Sequence, residues 1–140
     1  MPLVAVTRLH IRSDEFLSAF FDAAFASGAE AEQAAGNLSS DATVEPDGLT
    51  FWTRTVWTDV EAMRTFMRLP AHGAAMPMLR EWCDEAALVH WEQDGERAPA
   101  WRDAHDRLQR DGRTSRVNNP SPAQEAFTIP SPNLPDDITA

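Results

Sequence analysis

Residues 49–57, LTFWTRTVW, constrain the fold more than any other segment of the chain. The segment is rich in aromatic and β-branched residues, a composition typical of a strand. Because side chains alternate between the faces of a sheet, Trp52, Arg54 and Val56 point one way. The opposite face carries Leu49, Phe51, Thr53, Thr55 and Trp57. Both faces carry large apolar side chains, so the sheet that contains this strand must be covered on both sides.

Four strands are expected in the first two thirds of the chain. Their composition places them at residues 3–11, 37–45, 49–57 and 85–92. The sequence Pro-Asp-Gly between the second and third strands is a strong turn signal and predicts a hairpin.

Two helix-start signals lie between these strands. Ser13 precedes one run of apolar residues at helical spacing, and Thr58 with Glu61 forms a capping box before another. Gly28 is expected to end or bend the first helix, and residues 71–82 continue the second helical region. The resulting order β-α-β-β-α-β predicts an α+β domain with the ferredoxin-like fold.

The composition changes near residue 112, after which five of the ten prolines occur. We therefore expect a ferredoxin-like domain in residues 1–95 and a short helix in residues 96–111. Residues 112–140 are expected to form an extended proline-rich arm that joins no regular ladder.

The second face of the sheet needs a cover of its own. Helices of this fold cover one face, and only the tail or a second copy of the chain can cover the other. The sequence favours a homodimer that pairs two sheets and closes an α/β barrel, with the arm embracing the partner. Coverage by the chain's own tail is the alternative.

Charge and residue types exclude several functions. The chain has 12 basic and 22 acidic residues and a net charge of −10, which argues against a nucleic-acid partner. All the basic residues are arginine, and tyrosine is absent. Lysine Schiff bases, P-loop lysines and tyrosine acids or bases are therefore excluded.

The sequence also predicts the surroundings of the protein. Cys83 is the only cysteine, so no intramolecular disulfide forms, and the N-terminus does not resemble a signal peptide. The longest apolar stretches fall far short of the roughly 20 residues that span a bilayer. A cytoplasmic protein without a membrane span is expected.

The run TFWTRTVWTDVEAMRTFMRLPAHGAAMPMLREWCDEAALVHWE and the later DGRTSRVNNPSPAQ resemble the DUF3291 family of small bacterial proteins. The resemblance covers residues 2–124 and implies membership of the dimeric α/β-barrel superfamily. That superfamily includes oxygenases that oxidise aromatic polyketides without metal or flavin, haem-degrading monooxygenases, and members with no known activity. A fold shared by so many chemistries does not choose among them.

From this resemblance we expect a monooxygenase-like enzyme acting on an aromatic or polyene-like small molecule, in secondary metabolism and without metal or flavin. A non-catalytic dimeric protein that binds a ligand or a partner is the alternative. A haem-binding protein of the same fold is a further alternative.

Two branches of the superfamily can be compared residue by residue. The asparagine, tryptophan and histidine of the haem-degrading branch correspond to Thr7, Phe66 and Met76, so that branch is disfavoured. Haem bound by His72 or Met76 would be a different site. The cofactor-independent branch uses a tryptophan, an asparagine and an arginine, which Trp52 or Trp57, Asn37 and Arg54 could supply, although its tyrosine is missing.

His72 and Arg54 are the candidate catalytic residues. His72 lies between two helical segments, where it could serve as an acid or base. Arg54 is a permanent charge in an apolar strand, where it could hold an anionic oxygen. Their structural alternatives are a backbone bond at the helix junction and an ion pair, in the dimer or with Glu92.

The remaining candidates are expected to line a pocket between sheet and helices, and an ordinary packed core is the alternative. They are Trp52, Trp57, Phe66, Met76, Asn37 and His90. For His90, a position in an interface is the favoured reading. No His or Cys spacing typical of a metal site occurs, so no metal is expected.

Overall fold

A computed structural model describes residues 1–134 of the chain. Five strands form one antiparallel sheet in the order β2-β3-β1-β4-β5. The strands are β1 (Leu3–Ile11), β2 (Asn37–Val44), β3 (Thr50–Trp57), β4 (Cys83–Glu92) and β5 (Arg113–Thr114). The first four have the ferredoxin-like order and confirm the predicted fold. The short β5 corrects the expectation for the tail, because it pairs with β4 through Leu88 and Ala87.

Five α-helices accompany the sheet: α1 (Leu17–Gln33), α2 (Val60–Met67), α3 (Pro70–Trp82), α4 (Trp101–Asp111) and α5 (Pro122–Ala126). Ser13 caps the short 3-10 turn before α1, as expected. Two expectations are corrected. Helix α1 continues through Gly28, and Asp59 rather than Thr58 caps α2, because the Asp59 carboxylate accepts a hydrogen bond from the Ala62 amide at 2.9 Å.

The first three helices cover one face of the sheet. Two apolar clusters lie there, one around Phe20 and Trp82 and the other around Trp57 and Phe66. Trp57 is fully buried, so the space between sheet and helices is filled by side chains at this point. This packing follows from the alternation along β3, which directs Trp57 towards the helices.

The opposite face of the sheet is covered by α4 and by the segment that follows it. Trp101 and Leu108 from α4 pack with Ile129 against Trp52 and Val56 of β3 in one buried cluster. In the described residues the chain itself therefore occupies this face, which corresponds to the alternative of coverage by its own tail. The arm correspondingly lies on its own subunit. The homodimer stays a prediction.

Gly36 joins α1 to β2 in a conformation that few other residues adopt. Its φ is +84°, and an added Cβ would lie 2.5 Å from the Ala62 Cβ and 2.7 Å from the Thr58 Oγ1. We expect Gly36→Ala to lower the free energy of unfolding by about 2 kcal/mol, through strain and displacement of α2.

Urea denaturation measures this effect, with Gly28→Ala as the matched control. Gly28 lies within α1 and has open space around it, so alanine there should stabilise the protein by about 0.5–1 kcal/mol. Equal effects of the two substitutions would contradict the close approach of Gly36 to α2.

Candidate functional site

The predicted site residues fall into two groups on opposite faces of the sheet. Trp57 and Phe66 belong to the cluster under the helices, and His72 contacts Phe66 there. Trp52 lies in the cluster under α4, and Arg54 contacts α4 from the same face. This corrects the expectation of one pocket shared by Arg54 and His72. Alternation along β3 directs Arg54 towards α4 and away from α1, α2 and α3.

Arg54 is held by contacts within the chain. Its Nε donates to the Asp41 carboxylate at 3.1 Å, and its Nη1 donates to the Pro99 carbonyl at 2.5 Å. The guanidinium also lies 4.1 Å from the ring centroid of Trp101. These contacts link β2, β3 and the start of α4. The structural alternative of an ion pair is therefore found, but with Asp41 instead of the expected Glu92 or a partner subunit.

Trp52 and Asn37 likewise make internal contacts. Trp52 is fully buried, and its Nε1 donates to the Glu45 carboxylate at 2.9 Å. The Asn37 amide donates to the Ser40 hydroxyl at 2.9 Å within the start of β2. The tryptophan, asparagine and arginine expected of a cofactor-independent oxygenase site therefore take structural roles on or around β2 and β3.

Met76 and His90 do not line an enclosed pocket. Met76 lies on α3 with 42% of its surface exposed. His90 lies on β4 opposite Ala5 and is exposed. The two side chains belong to none of the three buried clusters.

Three aromatic rings form a continuous row from the core to the surface under the helices. Trp57 stacks on Phe66 with ring centroids 5.1 Å apart, and Phe66 meets the edge of His72 with centroids 4.9 Å apart. The row brings together three of the predicted residues. It ends at the half-buried His72, which is the titratable group of the row.

A cleft of about 360 Å³ lies beside this row and opens to solvent. It runs between the C-terminal half of α1 and helix α2. Its lining residues are Glu30, Gln33, Ala34, Ala35, Ala62, Thr65, Phe66 and Leu69. The walls are mainly apolar, and Phe66 belongs both to the cleft and to the aromatic row.

Glu30 connects the cleft to His72. Its carboxylate accepts hydrogen bonds from the backbone amides of Ala71 and His72 at 3.0 and 3.1 Å. These amides open α3, so the carboxylate also complements the helix dipole. Glu30 carries no signal in the sequence, because its partners lie about forty residues further along the chain and no local pattern relates the two segments.

The environment of His72 favours the neutral ring. Burial lowers the pKa of His72, and the hydrogen bond to the Met67 carbonyl and the charge of Glu30 only partly oppose this effect. Nδ1 lies 3.2 Å from the Met67 carbonyl oxygen, so it must carry the proton that it donates. Nε2 is therefore the basic nitrogen of the neutral ring.

The residues at the haem-degrading positions do not fit a haem. Thr7 lies within the central strand β1, Phe66 is packed on Trp57, and Met76 is exposed on α3. Thr7 and Phe66 carry no group that ligates iron well.

One set of possible metal ligands occurs among residues 1–134. Ligand atoms of His10, Asp84 and Glu85 lie within 4.8 Å of one another. They are already paired, since His10 Nδ1 lies 2.6 Å from Asp84, and Arg8 donates to Glu85 at 2.7 Å. The positive charge of Arg8 at this point opposes a bound cation.

Several solved structures have the same fold as this chain. One is a variant of SnoaB, a cofactor-independent oxygenase from Streptomyces nogalater, with 17% identity, 67% of this chain and 94% of that chain covered, and a TM-score of 0.56. Another is Rv0793 from Mycobacterium tuberculosis, with 16% identity and a TM-score of 0.62. The match covers 69% of this chain and 98% of that chain. A third is described as an antibiotic biosynthesis monooxygenase, with 14% identity, 66% and 99% covered, and a TM-score of 0.59.

These likenesses and the strand order agree on a ferredoxin-like α+β fold. None of the curated proteins matches the chain significantly. The chain itself belongs to the family DUF3291, described as a domain of unknown function, which matches residues 17–139. Within residues 1–134, no helix combines the length and the apolar character needed to cross a bilayer.

Proposed function

We propose that this protein is a monooxygenase-like enzyme that binds an aromatic or polyene-like small molecule in the cleft between α1 and α2. The observation that carries the proposal is the position of the half-buried His72 at the end of an aromatic row whose Phe66 also lines that cleft. Burial lowers the pKa of His72, which favours a basic neutral ring. The shared fold with SnoaB, described as a cofactor-independent oxygenase, supports the reaction class.

His72 would act as a general base in this reaction. Nε2 would remove a proton from an acidic phenol or ring carbon of the substrate, which leaves an electron-rich anion. That anion can supply the electrons that reduce dioxygen, so a ring CH₂ becomes C=O and the second oxygen atom leaves as water. No metal or flavin enters this balance.

The cleft suits a flat apolar substrate better than a strongly charged one. Alanines and Leu69 provide most of its wall, and Phe66 offers a ring for stacking. Glu30 is the acidic group in the lining, and its oxygens already accept two backbone hydrogen bonds. Secondary metabolism and a cytoplasmic location are further parts of the proposal.

One observation favours a non-catalytic ligand-binding protein as the second candidate. The space directly between the sheet and the helices is filled by Trp57, Met63 and Phe66, each at most 9% exposed. A ligand is therefore held in a cleft open to solvent, whereas oxidation by dioxygen benefits from a closed pocket.

We expect His72→Gln to lower the oxidation rate of an anthrone-type probe about 100-fold, because the general base is lost. Oxygen consumption measures the rate, and fluorescence quenching measures probe binding, which should change little. The rate of the unsubstituted protein should fall with acid only below the ordinary pKa of histidine, since the pKa of His72 is lowered by burial.

Two further variants complete this experiment. His90→Gln removes an exposed histidine on β4 and should leave the oxidation rate unchanged. Ala35→Trp places a large ring in the lining of the cleft and should abolish probe binding. The non-catalytic candidate would be established instead by two results together. Ala35→Trp would abolish probe binding, and His72→Gln would leave the oxidation rate unchanged.

A further inference from the structure

The C-terminal arm, residues 115–134, crosses the sheet face that lies opposite the proposed cleft. Ile129 is its most deeply buried residue, with 8% of its surface exposed, and both of its neighbours, Thr128 and Pro130, are exposed. Ile129 belongs to the same apolar cluster as Trp52 of β3 and Leu108 of α4. Ile129 is therefore the buried anchor of the arm between a helix and the sheet, and the partly buried Phe127 and Leu134 pack against the same cluster.

Side chains of α4 bind the backbone of the arm on both sides of this anchor. The Gln109 amide nitrogen donates to the Phe127 carbonyl at 2.9 Å, and the Gln109 oxygen accepts from the Ile129 amide at 2.7 Å. His105 Nε2 donates to the Ile129 carbonyl at 2.9 Å. The Gln109 side chain thus bonds one carbonyl and one N–H of the arm. The edge strand of a sheet binds the backbone of an extended peptide through the same two kinds of hydrogen bond.

The β2–β3 hairpin holds the arm further along. The Asn133 amide donates to one oxygen of the Glu45 carboxylate at 2.9 Å, and the other oxygen accepts from Trp52 Nε1 at 2.9 Å. The contacts of His105, Gln109 and Glu45 are all made to the backbone of the arm. Contacts to the backbone do not depend on the side chains of the bound peptide. The apolar site that holds Ile129 selects one apolar side chain.

We propose that α4 and the β2–β3 hairpin form a peptide-binding groove, with residues 127–133 of the arm as its resident ligand. The groove fits an uncharged peptide that carries a β-branched apolar residue followed by proline, as in Thr-Ile-Pro. The preceding Phe127 has a left-handed backbone conformation, with φ +50°. Covalent linkage raises the effective concentration of the arm, so it excludes a free peptide of the same sequence. In the three solved structures described above, at least 94% of each chain is matched by about two thirds of this chain. About a third of this chain therefore has no counterpart in them.

The full-length variant Ile129→Asp tests the groove. A carboxylate in the apolar site should release the arm while α4 stays in place. A fluorescent peptide of residues 121–134 should then bind the variant with a dissociation constant on the order of micromolar, and it should not bind the unsubstituted protein. The same peptide with aspartate at the isoleucine position is the matched ligand control and should not bind.

Gln109→Ala, added to the released variant, tests the recognition itself. Two hydrogen bonds to the peptide are lost, so binding should weaken on the order of tenfold. A released arm with no peptide binding would overturn the proposal, and so would equal binding with and without Gln109. Limited proteolysis by chymotrypsin at the half-buried Phe127 reports release of residues 127–133, and persistent protection from cleavage there also contradicts the proposal.

A second measurement covers the case in which Ile129→Asp does not fold. In the double variant His105→Ala and Gln109→Ala, the apolar contact of Ile129 is kept and only the groove's hydrogen bonds are lost. Amide hydrogen exchange at Ile129 should accelerate at least about tenfold, because its N–H loses the acceptor on Gln109. Unchanged exchange at this amide would overturn the proposal.

Discussion

Replacement of Trp52 by alanine is expected to lower the free energy of unfolding by about 4 kcal/mol, the largest effect predicted for this protein. The side chain is fully buried between β3 and α4, and its ring centroid lies 6.4 Å from that of Trp101. Its removal leaves a cavity and also frees a carboxylate oxygen of Glu45 that now accepts its N–H. Urea denaturation followed by circular dichroism gives the change.

Two comparisons make this prediction specific. Val44→Ala, on the neighbouring strand β2, removes a side chain that is 44% exposed and should cost less than about 0.5 kcal/mol. Probe binding in the cleft should survive Trp52→Ala, because Trp52 lies on the other face of the sheet. A stable variant that has lost probe binding would show instead that Trp52 lines the ligand site.

The strand of residues 49–57 could be interpreted correctly from sequence because alternation is a local property. The pattern placed Trp52, Arg54 and Val56 on one face and predicted that both faces would be covered, and the structure confirms these points. The expectation of a common pocket for Arg54 and His72 was nevertheless wrong. Alternation along the strand places Arg54 on the face opposite α1, α2 and α3. The resemblance to oxygenases nevertheless favoured one site for both residues.

The cover of the second face could not be assigned in the same way. Gln109 bonds the backbone of Phe127 and Ile129, and Glu45 bonds Asn133 from a position 88 residues earlier in the chain. The proline-rich composition of the tail indicates little regular structure but does not indicate where an irregular chain binds. The sequence pattern therefore favoured a second copy of the chain over its own tail, although the tail satisfies the same need for a cover.

Arg8 shows the same limit for a charged residue. It lies in β1, where the sequence alone gives no sign that its partner is Glu85, 77 residues later. The Arg8 Nη1 donates to the Glu85 carboxylate at 2.7 Å, and the Ser121 hydroxyl of the arm donates to the same carboxylate at 2.8 Å. The pair is largely buried, with 6% and 16% of the two side chains exposed.

Arg8→Met is expected to lower the free energy of unfolding by about 3 kcal/mol, because it leaves a largely buried carboxylate without its cation. Arg64→Met is the matched control. Arg64 pairs with Glu61 at 3.1 Å, but both side chains are more than half exposed, so its loss should cost less than about 0.5 kcal/mol. Urea denaturation at neutral pH compares the two variants.

The pH dependence of stability separates loss of the ion pair from loss of packing. Burial acts to raise the pKa of Glu85, but the hydrogen bonds and charge of Arg8, together with Ser121, outweigh it and lower the pKa below the ordinary 4.5. Folding therefore favours the carboxylate, and its contribution is complete above pH 4.5 and is lost as the pH falls through the lowered value. The difference in stability between the unsubstituted protein and Arg8→Met should shrink over that acid range. A difference that stays constant with pH would show that Arg8 acts through packing of its side chain and not through the charge of Glu85.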